Sequence, residues 1–210
     1  MIPEAIPVER HPFEPFLPLE AKVLFLGSFP PQPKRWSMDF YYPNFINYFW
    51  RIVGIIYFGD KDHFIIPGAR RFDKEAIMCF CAREGIALFD TASAVRRLKD
   101  NASDKFLEVV TPTDLPALLD RIPHCRALVT TGQKATDTLC ETFGCPEPPM
   151  GGSVEIAVTG RTFRFFRLPS TSRAYPLSLD KKAFAYRSLF HALGMLLAGP
   201  REEPMAENRL

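Results

Sequence analysis

The stretch VLFLGSFPPQPKRWSMDFYYPNFINYFW, residues 23–50, decides the fold. It opens on an apolar run, Val23-Leu24-Phe25-Leu26, flanked by Lys22 and Gly27, which reads as a buried strand. Gly27-Ser28-Phe29-Pro30-Pro31 must then turn, because Pro30 and Pro31 cannot continue a central strand. An aromatic loop follows. From Pro43 or Asn44 the apolar spacing becomes helical, through Phe45, Tyr48, Phe49, Ile52, Val53 and Ile56. A strand, a polar and aromatic loop and then a helix is how an open α/β sheet builds a pocket outside the carboxyl ends of its strands. Within that loop, Phe40, Tyr41 and Tyr42 are three adjacent aromatics, and Asn47 is an amide one turn into an otherwise apolar helix. They admit two readings. Either the aromatics fold back on the core and Asn47 satisfies a loop carbonyl, or the group faces a ligand.

Outward from this stretch, the chain continues to alternate. Residues 73–84 read as a helix capped by Asp73, with Ile77, Phe80 and Cys81 on one face, ended by Gly85. Ile86 to Phe89 is a second strand with Asp90 at its carboxyl end, and Thr91 to Val95 start a turn or short helix. Residues 101–112 read as a loop and a short extended piece, and Thr113 caps a helix near 114–121. Arg126 to Thr130 is a third strand, turning at Thr131-Gly132 into a helix over 133–143. Val154, Ile156 and Val158 alternate, Gly160-Arg161 turns, and Phe163 to Leu168 returns as a hairpin arm that doubles as the last core strand. Ser178 or Asp180 opens a final amphipathic helix with Phe184, Leu189, Leu193, Leu196 and Leu197 inward. Alternation of this kind gives an α/β fold with a mostly parallel sheet between helices. Four polar loops, 28–47, 90–97, 131–134 and 169–175, then meet at one sheet edge.

Composition fits one soluble domain of 210 residues, 47% hydrophobic and 24% charged, with room for a substantial core. Residues 1–20, with five prolines, read as an extended arm, 21–198 as the single domain and 199–210 as a flexible tail. The net charge of +2 does not by itself argue for nucleic acid. Positive charge clusters at Arg70-Arg71, Arg96-Arg97-Lys99, Arg161-Arg164-Arg167-Arg173 and Lys181-Lys182, where a solvated surface is the plain reading. No apolar stretch reaches the roughly 18 residues of a membrane span, and the N-terminus lacks the basic start and apolar run of a signal peptide. Five cysteines without paired CxxC spacing suggest free thiols in a reducing cytoplasm. His11, His63, His124 and His191 are scattered and form no metal-ligand pair, so neither metal nor cofactor is expected.

Five segments taken together, VLFLGSFP, YYPNFINYFW, GIALFDT, ALVTTGQKA and LPSTSRAYPLSLDKKAFAYRSLF, resemble the uracil-DNA glycosylase superfamily in order and spacing. The nearest branches are the mismatch-specific uracil/thymine and the hypoxanthine-DNA glycosylases. The resemblance spans roughly 22–197. It implies a three-layer α/β/α fold around a four-stranded, mainly parallel sheet, a DNA partner containing a damaged base, no cofactor, no membrane and a monomer. It implies hydrolysis of the bond between a flipped base and deoxyribose. Asn47 matches an asparagine implicated in catalysis in the hypoxanthine branch. Asp90 stands where relatives carry a base-reading asparagine or aspartate, although a helix N-cap is an equal reading of it. Tyr42, with Tyr41 or Phe29 beside it, would stack on the base. Pro169, Ser170, Thr171, Ser172 and Arg173 match a segment that enters the minor groove, with Ser28 beside the backbone and Lys134 offering positive potential to phosphate. The chain departs from its better-known relatives at Gly27-Ser28-Phe29-Pro30, where they carry a polar residue that orients water in place of Phe29, and at Pro31, where they carry a second glycine. A binding module without catalysis is the competing reading. An enzyme acting on free nucleosides or nucleotides is a third.

Overall fold

The computed structural model describes residues 6–99 and 104–196. Thirteen regular elements follow one another along the chain: β1 (Val8–Arg10), β2 (Val23–Gly27), α1 (Phe49–Phe58), α2 (Lys74–Glu84), β3 (Ile86–Asp90), β4 (Ala92–Arg97), β5 (Leu107–Pro112), α3 (Leu115–Asp120), β6 (Ala127–Thr131), α4 (Gln133–Phe143), β7 (Ser153–Val158), β8 (Arg161–Leu168) and α5 (Leu179–Ala192). The main sheet has five strands in the order β3-β2-β6-β8-β7. Pairing along β3, β2, β6 and β8 is parallel, and β7 joins the edge antiparallel to β8. The expected count of four therefore falls one short, because the first arm of the hairpin pairs along its whole length and completes the sheet. Thr159 and Gly160, with φ of 48° and 77°, make the tight turn between the arms.

Strands β2, β3 and β6 are largely apolar and buried along their whole length, as parallel strands covered on both faces must be. Phe25 points to one side, where its ring meets Phe49 of α1 and Tyr186 and Phe190 of α5. Leu26 points to the other, beside Leu115 of α3 and Leu139 and Phe143 of α4. Tyr57 of α1 packs edge-on against Phe80 of α2, so α1, α2 and α5 form one layer.

Several local expectations need correction. Residues 92–97 form strand β4 rather than a turn or short helix, because the chain runs on extended past the end of β3 and β4 pairs antiparallel with β1 and β5. That makes a second, three-stranded antiparallel sheet in the order β1-β4-β5, and it draws part of the proline-rich arm into regular structure. Asp114, not Thr113, caps α3 by accepting from the Ala117 N–H at 3.1 Å. The Thr113 hydroxyl instead donates to the Asp90 carbonyl at 2.7 Å. Helix α1 starts at Phe49, so Asn47 precedes it rather than lying one turn inside. Phe184, expected inward, is 74% exposed. Residues 1–5, the loop at 101–103, Leu197 and the tail 199–210 lie outside the described residues.

Candidate active site

The carboxyl ends of β2, β3 and β6 open into a cavity of about 120 Å³. That is far below the roughly 300–1,000 Å³ of sites for drug-sized ligands, and it suits a single heterocycle. Its walls come from the loop after β2, the turn before α1, the ends of β3 and β6, and the loop after β8. Of the residues singled out in the sequence, Ser28, Phe29, Tyr41, Tyr42, Asn47, Asp90, Ser170, Thr171 and Ser172 line it. Lys134, Pro169 and Arg173 do not. Lys134 stands half-buried in the first turn of α4, Pro169 is buried with its carbonyl accepting from the Tyr186 hydroxyl at 2.9 Å, and Arg173 is exposed and makes no polar contact with the described residues.

Asp90 is buried at the end of β3, and its setting differs from the N-cap alternative, since no helix follows it. His11, delivered by the arm just past β1, brings Nε2 to 2.8 Å from Asp90 Oδ2. Nε2–H donates to the carboxylate, and Nδ1 is held by the backbone of Phe13. The imidazole also lies within 4.5 Å of the Phe89 ring centre and 5.3 Å of the Phe29 ring centre. The second carboxylate oxygen, Oδ1, lies over Gly27. A Cβ at residue 27 would come within 2.3 Å of it. Gly27→Ala is therefore expected to push the carboxylate out of place. The overpacking costs about 1–3 kcal/mol of stability, read as a lower urea midpoint, and an unchanged midpoint would contradict this geometry.

The aromatics divide between core and cavity. Tyr41 is buried, its hydroxyl donating to the Glu14 carbonyl at 2.8 Å, and burial pushes its pKa far above the usual phenol value. Phe29 packs its ring into a small apolar cluster with Ala92, Val95 and Leu107, under the second sheet. Tyr42 has φ 51°, a left-handed backbone that costs a residue with a side chain about 1–2 kcal/mol. Its ring lies flat on Phe49, centres 3.8 Å apart and planes within 6°. Its hydroxyl bonds Thr131 Oγ1 at 3.0 Å. One face of Tyr42 is thus fixed from below, and the ring is held at the cavity wall.

Asn47 Oδ1 accepts from the Phe49 N–H at 2.8 Å, which fixes the side chain at the helix entrance. Its Nδ2 has no partner among the described residues, so the amide offers two donors to whatever enters. Beside it, the Tyr48 N–H donates to the Thr171 carbonyl at 3.0 Å and ties the 170–172 loop to the start of α1.

Sequence reasoning missed four contributors. His11 and Asp90 are 79 residues apart, and no local pattern joins them. Asp104 lines the cavity from a polar stretch read only as loop. Arg97, taken for surface, is buried and grips Glu9 through two 3.0 Å bonds and the Pro30 carbonyl through one of 3.1 Å. Lys182, also taken for surface, is fully buried. It donates to the Ser172 carbonyl at 2.6 Å between the rings of Tyr48 and Tyr175, and desolvation pulls its pKa below the usual lysine value. Other basic residues serve the scaffold as well. Arg161 caps carbonyls of Leu119, Pro123 and Cys125, and Arg164 reaches the Ala192 carbonyl. Part of the clustered charge is thus spent on backbone carbonyls.

All five cysteines are free thiols, and burial pushes that of Cys125 up to about 11. Among the described residues no group of three His, Cys, Asp or Glu side chains converges to hold a metal, and no helix is long and apolar enough to cross a membrane.

No protein-family profile matches the chain, and no curated protein matches it. Solved structures do. The solution NMR structure of a "putative Uracil DNA glycosylase" from Methanosarcina acetivorans superposes with a TM-score of 0.60 at 21% sequence identity, covering 89% of this chain and 99% of that one. The chain shares its α/β fold with that protein over nearly the whole of both molecules.

Proposed function

We propose that this chain hydrolyses the N-glycosidic bond of a flipped, deaminated base in DNA, of the uracil or hypoxanthine class. The observation that carries the reading is Asp90: a buried carboxylate, bonded by His11 on one oxygen, whose other oxygen lies over Gly27 at the cavity. An ionised carboxylate only accepts hydrogen bonds. Deamination turns a ring nitrogen from acceptor to donor, at N3 of uracil and N1 of hypoxanthine. Cytosine and adenine present a bare nitrogen at the same place. Asp90 therefore favours the deaminated base.

The remaining tasks fall to neighbours. An enzyme acting on a base in a duplex must first extrude it. Tyr42 supplies a flat surface for it, and base–aromatic stacking is worth about 1–3 kcal/mol. Asn47 cannot take a proton, but its unpartnered Nδ2 can hold the attacking water or the departing base. Ser170, Thr171 and Ser172 meet the backbone at the cavity rim. Arg173, exposed just beyond them, enters the space that the flipped base leaves.

A gel excision assay tests this. Labelled oligonucleotides carry one uracil, hypoxanthine or xanthine, opposite each base and single-stranded, and are cleaved with alkali after incubation. Cutting at a lesion is expected, with loss of about 10²-fold or more in Asn47→Ala. Binding without cutting at any lesion would favour the second reading, a non-catalytic DNA-binding module. Phe29 speaks for that reading, being an apolar part of the cavity wall where better-known relatives carry a water-orienting residue. An enzyme of free nucleosides would not need Arg173, and Arg173→Ala would leave it unharmed.

A further inference from the structure

The cavity holds a second carboxyl group besides Asp90, that of Asp104. It comes from the short 3-10 turn Asp104–Phe106 that leads into β5. Leu107, three residues on, packs in one cluster with the Phe29 ring. The apolar side chain after β2 thus anchors the turn that carries the acid. Ser28, next to Phe29, lines the same cavity as Asp104 and lowers the pKa of its carboxyl. Asp90 and Asp104 are held differently. His11 bonds the first, whereas no ion pair to the second forms among the described residues.

Resting on the glycosylase reading above, we infer that Asp104 is a catalytic residue, whose carboxylate takes the proton of the water that attacks C1′. The step balances. The water oxygen bonds to C1′, the C1′–N bond breaks, the base leaves with the electron pair, and the water proton passes to the Asp104 carboxylate, from which the base anion or solvent removes it. Asn47 and Asp104 then divide the handling of water, the amide donating to its oxygen and the carboxylate accepting its proton. Burial raises the Asp104 pKa above the usual carboxylate value, outweighing the opposing effect of Ser28, and the charge of Asp90 pushes the same way. A stronger base results. The charged groups facing it are Asp90 from β3, Arg97 from β4 and Lys134 from α4.

Such a group costs stability. With its folded pKa above the unfolded one, the native state binds the extra proton at low pH, and stability is lost as pH rises through the folded value. Asp104→Asn removes that loss, so at pH 7.5 the variant should melt at the same temperature as wild type or higher.

The test uses the full chain and the oligonucleotide that wild type cuts. Asp104→Asn should slow single-turnover excision by about 10²–10⁴-fold while the gel-shift Kd stays within about twofold. Asp104→Glu should recover part of the rate. Excision by Asp104→Asn within about threefold of wild type overturns the assignment and leaves the glycosylase reading standing. A loss matched by weaker binding also overturns it. If wild type releases no base from any lesion, the glycosylase reading falls and takes this assignment with it.

Discussion

Asp90→Asn should lose most of the preference for deaminated over normal bases. The carboxylate offers only acceptors. An amide can turn its NH₂ toward the bare ring nitrogen of cytosine or adenine and bond it. Each such contact is worth about 1–3 kcal/mol, or about 5–150-fold in the ratio of the two bases. The change is nearly isosteric, and His11 Nε2–H can still donate to the remaining oxygen, so the fold should survive. Paired oligonucleotides with uracil or cytosine at one position, compared for binding and for excision, give the ratio directly. An unchanged ratio in a folded Asp90→Asn protein would remove Asp90 from base selection and leave it as the anchor of the N-terminal arm.

The largest effect on stability is expected from Phe25→Ala. Phe25 lies on the central strand β2, fully buried, with ring centres at 5.5 Å to Phe49, 6.4 Å to Tyr186 and 5.8 Å to Phe190. Removing the ring leaves a hole between the sheet and two helices whose own packing limits collapse. Such changes cost about 3–5 kcal/mol, against a total of about 5–15 kcal/mol for a domain. The damage should reach the cavity as well, because Phe49 touches Phe25 on one side and carries Tyr42 on the other. Urea unfolding of wild type and Phe25→Ala measures the first effect. A difference below about 1 kcal/mol would mean that the helices close the gap, contrary to the packing described here.

Much of this fold is legible in the sequence because its main-sheet strands announce themselves. Val23-Leu24-Phe25-Leu26 and Ile86-Ala87-Leu88-Phe89 are continuous apolar runs bounded by glycine, proline or charge, as doubly covered parallel strands require. Asp73 and Gly85 bracket α2 with chemistry that needs no tertiary context. The second sheet was hidden for the opposite reason. Ala92 to Arg97 has polar and basic residues among its apolar ones, and its partners are a three-residue strand in a proline-rich arm and a segment 10 to 20 residues away along the chain. The cavity's aromatics and Asn47 are visible from local composition. Their charged neighbours are not. A buried lysine in a Lys-Lys pair looks like any solvated pair until Tyr48 and Tyr175 arrive from elsewhere to cover it. His11 likewise acquires its role only when the arm crosses the end of β3.

The most direct test is whether a base leaves the DNA through addition of water. One oligonucleotide with a single deoxyuridine and one with a single deoxyinosine, incubated with the protein in ¹⁸O-labelled water and weighed by mass spectrometry, answer that. The expected result is free uracil or hypoxanthine, with an intact backbone carrying one abasic sugar labelled at C1′. An oligonucleotide that is bound by the protein yet keeps its mass would contradict the central claim and leave this cavity as a binding site alone.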